Sequence, residues 1–388
     1  SLATYSANVG LIENYITPII GDEKLEKINT RVLEKYYQKL LRTPQVSRAN
    51  CKKTNLGFVT TSTIRDIHKL LRSCFHQAEK WEIVGKNPVT NANVPKHRGK
   101  KREIWTAETL MYALEVCEDE RLKMALQLSF ACSLRLGELL GLTWDCVDIT
   151  PEAIQNGRAY VYVNKEMQRV DKTTITELDG KDIIRIFPEV TKKNKTVRVL
   201  KSPKTESSIR KVFLPRTVAE MLVEWKKGQD KLMEMLGDEY QDFDLVMASS
   251  YGLIRNSLCK LIKEHDLPPV VFHSLRHTSI TYKLKLNGGN IKAVQGDSGH
   301  AQIKMVTDVY SHIIDEDRRI NAELFENAFY EKRIADPVVT QELKETNAKN
   351  ATRSIETTDT IDPDLMKKVL ENPEMLRLLT QLAKNIAN

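Results

Sequence analysis

The sequence predicts a mainly α protein with a small antiparallel β-sheet, divided into more than one domain. Three observations predict it. Apolar residues recur at helical spacing from Thr61 to Val84 and again from Thr106 onward. Three short runs between residues 145 and 215 read as strands: Tyr160-Val161-Tyr162-Val163, Ile183-Ile184-Arg185-Ile186 and Val212-Phe213-Leu214. A chain of 388 residues also exceeds one ordinary core, so two or more domains are expected.

Residues 1–95 read as a small all-helical domain. Its clearest helix runs from Thr61 to Val84, capped by Thr61 or Ser62, with Ile64, Ile67, Leu70, Leu71, Cys74 and Ala78 as the apolar stripe. Gly85 and Asn87-Pro88 are expected to end it. Lys69, Arg72 and Lys80 lie off the stripe, where they can face phosphates. The basic run Lys96-His97-Arg98-Gly99-Lys100-Lys101-Arg102 follows Pro95 and marks a linker over 96–103; a solvated charge run and a contact to a polyanion fit it equally. The second helical region carries Leu110, Ala113, Leu114 and Cys117, then Leu122, Met124, Ala125 and Leu128. Helical character returns at Thr217 and continues to about Lys332. Residues 335–362 are polar and read as a flexible linker, followed by an amphipathic helix from Pro363 to about Ile386.

The formal charge of +7 admits a polyanionic partner without proving one. Six scattered cysteines form no C-x-x-C pair, which disfavours structural zinc. Cys74, Cys117 and Cys132 sit inside apolar helical patterns and read as reduced core thiols, as in a reducing cytoplasm. No apolar run approaches the ~20 residues that span a bilayer, so no membrane partner is expected.

The chemistry gathers in five places. Arg135 and Glu138 are three apart, so the carboxylate can hold the guanidinium; alone, this is an ordinary surface ion pair. Lys204 stands in Lys201-Ser202-Pro203-Lys204-Thr205, read as a hairpin turn before the strand Lys211–Leu214, where a lysine can swing into a site as a general acid. Lys201 and Lys211 are rivals by position. His273 and Arg276 repeat the three-residue spacing, with His277 following, at the start of a helix whose N-terminus favours an anionic oxygen. Ser274 occupies the place of the glutamate in a metal-binding H-E-x-x-H, so a metallohydrolase is disfavoured. Gly299-His300 follows, then Tyr310, whose phenol becomes a nucleophile only beside cations that stabilise its phenolate.

The ordered set Arg135, Lys204, His273-x-x-Arg276-His277, Gly299-His300 and Tyr310 resembles the catalytic signature of the tyrosine recombinase (phage integrase) family, closest to integrases of bacterial integrative and conjugative elements and of phages. The resemblance covers most of the chain. It implies a helical, SAM-like core-binding domain over 1–95, a catalytic domain over 104–332 and a C-terminal extension over 333–388, the two domains clamping DNA as a C-shaped pair with the linker residues Lys96, Arg98, Lys100, Lys101 and Arg102 across the backbone. It implies Tyr310 as nucleophile, Arg135 and Arg276 as the phosphate clamp, Lys204 as acid, and His273 and His300 on the phosphate, with Glu138 and His277 in support. No metal or other cofactor is implied. The expected partners are double-stranded attachment or transposon-end sites, four protomers on two DNA sites, an excisionase and a host DNA-bending protein, in a bacterial, nucleoid-associated cytoplasmic setting. The helix 363–386 is expected to dock through its apolar face and regulate cleavage.

There are departures from the family's pattern. Ser298 stands where leucine is more frequent, the strand region 150–203 exceeds a minimal hairpin, and the extension past Tyr310 is long. Integrases of this group usually carry an arm-binding domain, so a chain opening at Ser1 rather than Met is expected to be a piece without it. Two other readings share features with this one. A type IB topoisomerase uses the same chemistry without a partner site, and a DNA-binding regulator binds without cutting.

Overall fold

In the computed structural model, the described residues are 1–46, 57–96, 103–189, 194–287 and 289–299. His300, Tyr310, Arg98, Lys100, Lys101, Arg102, Cys51 and the helix expected over 363–386 lie outside them.

The N-terminal part is helical. Helix α1 (Leu2–Leu11) runs through a π turn at Ile12–Ile16 into α2 (Thr17–Ile20), and α3 (Thr30–Leu40) follows, its first turn capped by the Asn29 side chain. Helix α4 (Thr61–Lys80) begins at Thr60, whose side chain accepts from the Thr63 N–H. Its buried stripe is Ile64, Ile67, Leu71 and Phe75, which pack with Leu33, Tyr37 and Leu40 of α3 into one hydrophobic cluster. Two expectations are corrected here. Cys74 is exposed, because the stripe advances to Phe75, the bulkier apolar side chain one position on. The helix also ends at Lys80, before Gly85: Glu82 takes the left-handed conformation (φ 58°) and the Ile83 N–H closes on the Ala78 carbonyl at 2.9 Å.

A second, larger cluster begins at Trp105, whose indole N–H donates to the Pro268 carbonyl at 2.8 Å. Helices α5 (Ala107–Glu115), α6 (Glu120–Cys132) and α7 (Leu136–Leu140) lead into β1 (Val147–Asp148), α8 (Pro151–Gln155), β2 (Tyr160–Val163), β3 (Glu166–Asp171), α9 (Lys172–Glu177), β4 (Ile183–Ile186), β5 (Thr196–Lys201) and β6 (Arg210–Phe213). Then come α10 (Arg216–Leu236), α11 (Tyr251–Glu264), α12 (Phe272–Leu286) and α13 (Ile291–Ser298). The three strand-like runs are strands, and β1, β3 and β5 join them.

The strands form two antiparallel sheets, ordered β1-β2-β6 and β3-β5-β4. This alters the setting of Lys204. Strands β5 and β6 belong to different sheets, so the segment 202–209 connects two sheets and turns no hairpin between them. Lys201 is held in the second sheet by pairing opposite Glu166, while Arg210 pairs opposite Val163 in the first. Helix α7 approaches β3 so closely that a Cβ on Gly141 would lie 2.6 Å from the Met167 amide nitrogen, which confines that position to glycine. Leu2 of α1 packs with Val170, Val197 and Val199 of β3 and β5, so the first helix rests on the second sheet. Among the described residues, no helix is long and apolar enough to cross a membrane.

Candidate active site

Three breaks in helical structure bring the candidate residues together. Helix α6 stops at Cys132 because Ser133 adopts the left-handed conformation (φ 52°), and the chain re-enters helix at Leu136. Arg135 therefore stands at the N-cap of α7, outside the helix where the three-residue spacing would place it. Glu138 reaches back from the first turn: its carboxylate accepts from the Arg135 backbone N–H at 2.9 Å and from Arg135 Nη1 at 2.6 Å. The second break precedes α12, which presents an exposed His273 and a buried Arg276 within its first two turns. The third is Gly299 (φ 63°), the left-handed cap of α13 immediately before His300. A Cβ there would meet the Ser207 carbonyl at 2.9 Å, so sterics and backbone conformation both require glycine.

Glu138 is the hub of this assembly. Only 2 % of its side chain is exposed, and it takes Arg135, Arg210 (Nη2 to Oε2, 3.0 Å) and Arg276 (Nη1 to Oε2, 3.9 Å). Arg276 is fully buried and also donates from Nη1 to the Ser133 carbonyl and from Nη2 to the Ser298 carbonyl. It thus joins the segment leading to Arg135 with the segment leading to His300. The His273 and His277 rings meet edge to face with centroids 5.0 Å apart. The structure therefore gathers Arg135, Glu138 and Arg276 at one place, with His273 and His277 on the same first turns of α12 as Arg276.

Charge density shows in the titration of these groups. Burial, with Arg135 beside it, pushes the Arg276 guanidinium down to about 9, and the Glu138 carboxylate limits the fall. Burial alone would raise Glu138, but the charge and hydrogen bond of Arg210, followed by Arg135, hold it below the ordinary carboxylate value. A carboxyl depressed in the fold stabilises it above the unfolded value near 4.5, and this contribution is lost as pH falls through the lower folded value. Glu138→Gln strands buried guanidinium charge and should cost about 3–5 kcal/mol at neutral pH. Thermal melts against pH should show the wild-type acid limb flattened in that variant. An unchanged limb would move this linkage to other carboxylates.

The three candidate lysines part company. Lys201 is 4 % exposed and paired with Glu166 at 3.0 Å. Lys211 lies 3.9 Å from the centre of the Tyr160 ring, in a cation–π contact. Lys204 is exposed on the segment joining the two sheets. Among the DNA-contact candidates, Lys69, Arg72, Lys80 and Lys96 are exposed; Lys69 pairs with Asp66 at 3.0 Å. A cleft of about 1310 Å³ is lined by residues of α1, α4, β3 and β5, Lys69 and Arg169 among them.

Sequence reasoning missed Arg210, Glu166 and Tyr251, the last a tyrosine whose phenol is raised by burial and by the Glu166 and Glu138 carboxylates. A signal for Arg210 existed. Arg210, Val212 and Leu214 alternate inward while Lys211 and Phe213 face outward, so an arginine occupies a core position of a strand.

Several known proteins are similar to this chain. A model of the phage integrase family matches residues 182–317. The chain is 25 % identical over 344 residues to a tyrosine recombinase XerC-like protein of Caldanaerobacter subterraneus subsp. tengcongensis, covering 84 % of this chain and 78 % of that one. It is 22 % identical over 311 residues to the ICEBs1 integrase of Bacillus subtilis, covering 78 % and 72 %. Its fold is similar to that of the Tn1549 transposon integrase solved with transposon right-end DNA, with a TM-score of 0.57 at 16 % identity over 82 % of this chain and 98 % of that one. By the family match over residues 182–317 and by these relatives, the chain is similar to the tyrosine recombinases of the phage integrase family.

Proposed function

We propose that this site-specific recombinase cuts and rejoins duplex DNA at Tyr310, with Arg135 and Arg276 on the scissile phosphate and Lys204 as the acid. The observation that carries the reading is a buried carboxylate, Glu138, on which Arg135, Arg210 and Arg276 converge. Fixed cations are worth most where they need no reorganisation as charge builds on the phosphate.

In the first step the Tyr310 oxygen attacks phosphorus, and the bond from phosphorus to the 5′-oxygen breaks. Lys204 gives its proton to that oxygen, leaving a 3′-phosphotyrosyl link and a free 5′-hydroxyl. His273 and His300 hydrogen-bond the phosphate or take the phenol proton. Attack by the 5′-hydroxyl of a second duplex reverses the step, so strands exchange without ATP or metal. Two such exchanges pass through a four-way junction and engage four protomers. The helices of 1–95 and the catalytic domain 104–332 grip the duplex from opposite sides, Lys69, Arg72, Lys80 and the basic residues of 96–103 neutralising phosphates. The attachment or transposon-end site, an excisionase, a host DNA-bending protein and a nucleoid-associated cytoplasmic location complete the reading.

The test is a nicked duplex bearing a candidate site, incubated in EDTA and resolved on a denaturing gel. The wild-type chain should accumulate a covalent adduct. Lys204→Ala should slow its formation by ~10²-fold or more, and a substrate whose leaving oxygen is replaced by sulfur should restore most of the rate. Wild-type rates for Lys204→Ala with the ordinary substrate would reassign the acid. Loss of the adduct in EDTA would overturn the mechanism.

A further inference from the structure

We infer that Arg210 is a positioning residue for strand cleavage, a cross-brace that sets the lysine segment, the arginine clamp and the C-terminal end of α13 in one register. The inference rests on the assignment of Lys204, Arg135 and Arg276 given above. Its three bonds reach three different segments. Nη1 donates to the Ser208 carbonyl at 3.0 Å, fixing the segment that carries Lys204. Nη2 donates to Glu138 Oε2 at 3.0 Å, the carboxylate that holds Arg135. Nε donates to the Asp297 carbonyl at 2.7 Å, at the end of α13.

Its side chain is 5 % exposed, so it contacts neither solvent nor a duplex to any useful extent. Gly299 closes over it: a Cβ at that position would lie 3.1 Å from both Arg210 Cδ and Nη1. The planar fork is what the place demands. A guanidinium offers donors in fixed directions to three acceptors, whereas an ammonium is a point charge on a flexible stem. Charge alone would be supplied by lysine; simultaneous bonds to Ser208, Glu138 and Asp297 would not. The same fork makes its loss different from the loss of a phosphate contact. DNA affinity should survive, because the Arg210 side chain is buried, while the chemical step should not.

The experiment compares Arg210→Lys with the wild-type chain at a temperature where both are folded, reading the duplex dissociation constant and the single-turnover rate of adduct formation separately. Arg210→Lys should bind within about 3-fold of wild type and form the adduct on the order of 100-fold more slowly. The loss should shrink to a few-fold in a Glu138→Gln background, because the two residues act as one unit. If Arg210→Lys does not fold, Gly299→Ala presses on the same guanidinium from outside and should give the same split between affinity and rate. A wild-type rate in Arg210→Lys, or full additivity with Glu138→Gln, overturns the brace while leaving the recombinase site intact. A wild-type chain that forms no adduct overturns both.

Discussion

A Tyr310→Phe chain should bind its DNA site with wild-type affinity and form no detectable covalent adduct. The substitution removes one oxygen and leaves the ring. Affinity is supplied elsewhere, by lysines and arginines that neutralise phosphates and release counterions. The phenol oxygen is needed for one event, attack on phosphorus, and no water can replace it in a covalent link to protein. A free phenol with a pKa near ~10 is a weak nucleophile at neutral pH. The proposed mechanism supplies two guanidiniums, Arg135 and Arg276, both paired with the Glu138 carboxylate. The check is a filter-binding or anisotropy titration run beside the denaturing gel on the same nicked duplex. An adduct of wild-type yield in Tyr310→Phe would transfer the role to another tyrosine, with Tyr330 the next one downstream in the chain.

Much of this site is legible in the sequence because much of it is local. Arg135 with Glu138, and His273 with Arg276, sit three apart, and Gly299 announces a left-handed cap before His300. The helices are legible for the same reason, since a stripe such as Ile64, Ile67 and Leu71 depends on period alone. What was hidden depends on register between distant segments. Glu166 and Lys201 are opposite partners only because β3 and β5 pair in that alignment, and Arg210 meets Glu138 across 72 residues. The separation of β5 and β6 into different sheets is likewise a property of pairing, so Lys204 on a hairpin was a natural but incorrect expectation. At the end of α4 the sequence misled for a different reason. Glu82 adopts a conformation that glycine usually signals, three residues before the chain's own Gly85-Lys86-Asn87-Pro88. The phase of the α4 stripe slips by one, from Cys74 to Phe75, because aromatic volume decides which side chain fills the gap against α3.

Arg276→Lys should be the most damaging conservative change among the described residues, lowering cleavage ~10²–10³-fold and destabilising the fold by about 2–5 kcal/mol. The side chain is fully buried, and its fork serves the Ser133 and Ser298 carbonyls at once while Nη1 stays 3.9 Å from Glu138. One ammonium cannot reach both carbonyls, and a buried carbonyl without a donor costs about 1–3 kcal/mol. Those carbonyls belong to two chain reversals, since Ser133 turns the chain into Arg135 and Ser298 precedes the left-handed cap Gly299. The charge itself is at risk. The burial and the neighbouring Arg135 that push a guanidinium down to about 9 would act on an ammonium whose ordinary value is only ~10.4. Lysine there would lose its proton near neutral pH, so residual cleavage by Arg276→Lys should rise, relative to wild type, as pH is lowered. Denaturant melts give the stability cost, and single-turnover cleavage across pH gives the rest. A folded Arg276→Lys chain with wild-type cleavage at every pH would mean that the phosphate needs only a point charge at this position, and that the fork serves the fold alone.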